Sequence, residues 1–236
     1  MALIQAHSCL LWGKIKILAI VTFIKGGYTM PSSNEILSGL TFSANMFRPF
    51  AIIWHLIFFA LIVALLTRWK PSNRLLAMLF SLPLLSVSFF AWLTNNYFNG
   101  FVFLLASIIS FTTAFKINEH AISAGLRWSS VSGSLLILFG LVYPEFLHAY
   151  SPLEYIYASP VGLIPCPTLS VITGFALIFF NNESRLWMLL LFTVGLFYGI
   201  FGLFRLHVIP DTIMLVGSLI LFFKLLVTKK IRLANH

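Results

Sequence analysis

Charge is what this chain lacks most. Asp, Glu, Lys and Arg together make up 9% of its 236 residues, against 60% hydrophobic and 16% aromatic residues and a mean hydropathy of +0.98. A soluble domain carries roughly a quarter of its residues as charged side chains. A chain so poor in charge cannot cover a water-facing surface, so its expected solvent, and its expected partner, is the lipid bilayer. The net charge of +9 does not argue for nucleic acid, because the basic residues stand singly between apolar runs instead of gathering on one soluble face. Cysteine is nearly absent as well. Cys9 and Cys166 form no CxxC pair and no disulfide framework, so they say nothing about redox compartment.

Familiar chemistry is missing too. The chain has no P-loop, no HExxH and no GxSxG, and nothing in it calls for a cofactor. No pair of carboxylates lies within the apolar runs, which disfavours a buried acidic proton relay. No long-period repeat marks an inverted-repeat transporter.

What is there is a regular series of apolar runs: Phe47 to Arg68, Arg74 to Thr94, Tyr97 to Phe115, Val131 to Phe146, Val161 to Phe180, Leu186 to Phe204 and Val208 to Val227. Each is near the 20 or so residues that cross a bilayer as a helix, and the alternation of a barrel strand is absent. The sequence therefore predicts an all-α polytopic transmembrane bundle of about seven helices, one domain over residues 30–236. Basic residues in the connections set its orientation. Ten fall on one side (Arg68, Lys70, Arg74, Lys116, Arg127, Arg185, Lys224, Lys229, Lys230 and Arg232), and only Arg48 and Arg205 on the other. The amino terminus is expected outside and the carboxy terminus inside, with Lys224 snorkelling to the inner surface. The expected outer side carries Asn95, Asn96 and Asn99 in one loop and Glu145, His148 and Glu154 in another that is rich in Tyr and Pro.

Residues 1–29 differ from the rest. Lys14, Lys16 and Lys25 flank an apolar stretch, Ile17 to Ile24, too short to span, and no small-residue cleavage site comes after it. Lys25-Gly26-Gly27 can be encoded by AAA-GGA-GGT, a bacterial ribosome-binding sequence, just ahead of Met30. Met30 is therefore the expected start, with an amphipathic helix lying on the membrane as the alternative.

The most distinctive motif is Gly162-Leu163-Ile164-Pro165-Cys166-Pro167-Thr168 at the outer start of the fifth run. Proline suits the first turn of a helix, and Thr168 can cap amides there or bond backwards along the turn. A cysteine at a helix start feels the positive end of the dipole, which favours thiolate and makes Cys166 the residue best suited to metal or redox chemistry. Glu145 and His148, three apart and expected on one helical face, are the nearest further ligands. The alternative, and the favoured one, is that Cys166 packs as a small apolar residue. His55 lies at membrane depth and so is a functional candidate, with a neutral His bonded to a neighbouring helix as the alternative. Gly195 and Gly199 form a GxxxG that lets a helix approach closely, within the chain or in a homo-oligomer. Asp211, just after Pro210, stands at the start of the last run, where an acid also complements a helix dipole.

These residues resemble a bacterial membrane family of unassigned activity, domain of unknown function family 6064. The resemblance rests on Tyr143-Pro144 ending one helix, then Gly162, Pro165, Pro167 and Thr168 at the next helix start, with Gly174 beyond them, and on the stretch Ala91 to Gly100. It covers Met30 to the carboxy terminus and departs before it. It implies a helical protein of the bacterial cytoplasmic (inner) membrane and carries no mechanism.

Two functional readings fit these residues. One is a small-solute transporter or channel-like protein whose outer mouth is built from Tyr143, Glu145, His148, Pro165, Cys166, Pro167 and Thr168. The other is a membrane-embedded metal or redox site in which Cys166, His148 and Glu145 converge. A non-catalytic assembly component is the background to both.

Overall fold

The computed structural model describes residues 31–67, 69–117, 119, 121–122, 125–180 and 185–234, with side chains as far as 227. The expectations for residues 1–29 lie outside that range. The chain divides into two units, 1–32 and 33–236, and the second holds every described helix.

Every regular element among the described residues is a helix. In chain order they are α1 (Ser33–Met46), α2 (Arg48–Leu66), α3 (Asn73–Leu93), α4 (Tyr97–Ala114), α5 (Arg127–Leu141), the short α6 (Glu154–Ala158), α7 (Pro165–Phe179), α8 (Arg185–Ile200) with a π-helical turn Phe201–Arg205, and α9 (Asp211–Ala234). Four are long and apolar enough to cross a membrane: α2, α3, α4, and α8 with its π turn. The starts are locally coded. The Ser72 side chain accepts from the Leu75 amide at the head of α3, and Asn96 accepts from Asn99 at the head of α4.

The helices meet through small residues, as helices without a hydrophobic driving force between them must. Gly133 of α5 and Gly174 of α7 pack backbone to backbone; a Cβ on either would lie 2.5 Å from the other's carbonyl oxygen. Ser88 of α3 donates to the Gly100 carbonyl at 2.7 Å, and Ser107 of α4 to Ser81 at 2.9 Å. Gly195 and Gly199 of α8 press on Met214, Leu215 and Ser218 of α9. Both glycines are buried against α9 of their own chain, which is one of the two close approaches that their spacing allows.

At the centre stands α7, buried over its whole course from Pro165 to Leu177. Phe175 on it packs against Phe80 of α3 at 5.1 Å and Phe58 of α2 at 6.3 Å, and Trp187 of α8 against Phe180 at 4.5 Å. Fifteen residues make α7 about 22 Å long, short of the ~30 Å hydrocarbon layer. Its ends need partners from protein.

A candidate functional site at the start of helix α7

The chain reaches α7 through a non-helical stretch that is buried from Ser159 onward. Buried irregular backbone must find its hydrogen bonds within the protein. Val161 donates to Ser159, Leu163 and Ile164 both donate to the Pro160 carbonyl, and the Gly162 amide donates to Thr168 Oγ1 at 2.8 Å. Thr168 Oγ1 in turn donates to the Ile164 carbonyl at 2.7 Å, so the hydroxyl both caps the loop and bonds back along its own turn. Gly162 has φ +77 and lies so close to the Trp54 ring that a Cβ would overlap the indole. Only glycine fits both demands. Trp54 Nε1 donates to Ser86, which donates to the Gly162 carbonyl, so α2 and α3 hold this turn together.

Pro165 takes the first helical position and Pro167 the third. A helix start leaves its first amides without internal acceptors. Two prolines remove two of those donors, so the start can be buried at little cost. The motif is architecture first.

Beside it lies the cluster that brings three distant residues together. Tyr143 Oη donates to Asp211 Oδ1 at 2.5 Å, across 68 residues. The Cys166 thiol and Glu145 both lie near enough to the same carboxylate to act on it electrostatically. Exposures of 0% for Tyr143, 2% for Asp211 and 6% for Cys166 place the three in the interior. Gly202 in the π turn forms the floor, where a Cβ would overlap Asp211 Oδ2. Phe139 and Phe146 pack on the Tyr143 ring at 5.4 and 6.0 Å.

Other expected site residues fall elsewhere. α5 ends at Leu141, because Pro144 supplies no amide and pushes Tyr143 out of helical conformation. Glu145 and His148 therefore share no helical face. Phe146 between them has φ +68. Glu145 is half-buried, and His148 is exposed with its amide held by Asn45 Oδ1 at 2.8 Å. Among the described residues no three His, Cys, Asp or Glu side chains are placed to hold a metal ion. The convergence of Cys166, His148 and Glu145 is thus replaced by that of Cys166, Tyr143 and Asp211.

His55 is buried, with Nε2 2.8 Å from the Leu141 carbonyl and Nδ1 2.9 Å from that of Ala51. In the Nε2–H tautomer it caps the last residue of α5, the bland role. Lys224 does not snorkel. It is 1% exposed, and Nζ donates to Leu177 at 2.7 Å and Ala176 at 3.4 Å, both in the last turn of α7. It adds a charged donor to a turn whose carbonyls also accept from Ser129 Oγ and from the Phe180 and Gly125 amides. Asp211 and Lys224 carry the weight that sequence reading gave to His148.

Compared with protein-family models, curated proteins and solved structures, the chain matches none.

Proposed function

We propose that the protein crosses the bacterial inner membrane seven times, amino end outside, and passes a small solute through a mouth built around the start of α7. The observation that carries this is the buried, non-helical approach to α7, which ends beside a buried carboxylate. Irregular backbone at membrane depth is tolerated where it is enclosed by protein, and helices that begin inside the bilayer are how many transporters present a dipole end to a substrate. An ionisable side chain at that depth supports the same reading. The orientation rests on the excess of Lys and Arg at the opposite side. Membership of domain of unknown function family 6064 is part of the proposal and rests on Tyr143-Pro144 and the Gly162 to Thr168 motif.

The test is osmotic swelling of liposomes carrying the purified protein, in isotonic glycerol, a neutral amino acid or a hexose. Faster swelling than in empty liposomes for at least one solute is expected, and none for any would overturn the reading. A Tyr150→Cys variant checks orientation, since Tyr150 is 97% exposed in the loop before α6. It should react with an impermeant maleimide from outside intact cells.

A further inference from the structure

Helix α1 ties together the same two segments that the Tyr143–Asp211 hydrogen bond joins. At its first turn Ser33 Oγ donates to the Arg205 carbonyl at 2.8 Å and accepts from the Arg205 guanidinium at 2.8 Å, at the end of the π turn. At its last turn Asn45 Nδ2 donates to the Phe146 carbonyl at 2.9 Å, and Oδ1 accepts from the His148 amide. The two anchors stand about 18 Å apart along the helix. Between them Ile36, Leu37 and Leu40 pack on the core and Ala44 is buried, while Asn34, Glu35 and Ser38 are exposed. α1 is an amphipathic strap tied to the segment after Tyr143 and to the segment before Asp211.

The Asp211 carboxylate accepts from a neutral donor, Tyr143. Among the described residues the ion pairs are Arg48–Glu154 and Arg74–Glu119, and neither involves Asp211. The titratable groups that face Asp211 are Tyr143 from the end of α5, Cys166 from α7 and, at longer range, Glu145 from the segment after α5. The π turn after α8 presents Gly202, which has no side chain.

We propose that Asp211 is a proton-binding site and α1 its cover. A bare carboxylate is costly in apolar surroundings and cheap in water. A carboxyl that passes between the two settings exchanges a proton as it does so. With α1 seated, the proton stays on the carboxyl and Tyr143 donates to its carbonyl oxygen. With α1 lifted, the carboxyl O–H bond breaks, the proton passes to water, and the carboxylate keeps Tyr143 as a donor. This rests on the transport reading for its purpose, since such a site would couple one proton to solute movement.

The test is infrared difference spectroscopy of the full chain in lipid nanodiscs, stepped from acidic to neutral buffer. A protonated carboxyl band is expected in the wild type, lost in Asp211→Asn and shifted in Tyr143→Phe. A band that survives Asp211→Asn, or its absence from the wild type, overturns the proposal. If Asp211→Asn does not fold, a band unmoved by Tyr143→Phe does the same. Asn45→Ala frees one end of α1 and should speed deuterium exchange at the carboxyl about tenfold; an unchanged rate removes α1 from the mechanism. Solute entry is scored separately. Titration without solute entry defeats the transport reading alone, and solute entry without titration defeats the proton site alone.

Discussion

Asp211 and Lys224 hold opposite ends of α7 from a single neighbouring helix. Asp211 opens α9 beside Cys166 in the first turn of α7, and Lys224, thirteen residues on, donates to the last turn. Thirteen residues rise about 20 Å, which matches the length of α7. The two helices run parallel, and Lys224 places a base at the negative end of the α7 macrodipole. A helix too short to bring either end to water is thus closed off by protein at both.

Lys224→Met should lower stability by about 1–3 kcal/mol, because the Ala176 and Leu177 carbonyls lose a charged donor in the interior. Lys224→Arg should keep most of it. Thermal unfolding in detergent measures both, and an unchanged midpoint for the Met variant would show that these carbonyls do not depend on Lys224.

Tyr143→Phe and Asp211→Leu should not be additive. Each removes the same 2.5 Å hydrogen bond, so a double-mutant cycle should give a coupling of about 1–3 kcal/mol. Additive losses would mean that the two residues act separately.

The glycines should sort by what stands over them. Gly199→Ala meets Leu215 backbone at 2.8 Å and should cost several times more than Gly39→Ala, which meets nothing within 4 Å. In the exposed middle of α1, alanine should be stabilising by about 0.5–1 kcal/mol. Equal unfolding midpoints for the two would contradict the close approach of α8 and α9.

Pro165→Ala and Pro167→Ala each restore an amide at a buried helix start, and each should destabilise by about 1–3 kcal/mol. Cys166→Ser keeps a donor beside Asp211 and should be milder than Cys166→Val. In a Cys9→Ser background, Cys166 should resist maleimide in the folded protein and react once it is unfolded. Ready labelling of the native protein would place the thiol outside the interior.

Where information was local, the sequence was readable. Tyr97 as a helix start comes from an apolar run, and Pro165 at the head of α7 from proline's missing amide. α1 gave no such signal, because Ser33 to Met46 mixes polar and apolar residues at short range and makes no long run. Glu145 and His148 looked helical by spacing alone, and Pro144 cancels that spacing. The Tyr143–Asp211 contact leaves no local trace, since each residue has an ordinary explanation where it stands: a helix end and a dipole partner. Lys224 reads as a snorkelling residue until the end of α7 is seen to stop beside it.

The capping of α7 from α9 also sets an order of manufacture. The ribosome completes α7 well before it reaches Lys224, so the newborn helix waits for Asp211 and Lys224 while α8 and α9 are made. A nascent chain stalled before residue 224 would hold a central helix whose last turn lacks its charged donor. The innermost element of this protein is the last to be secured.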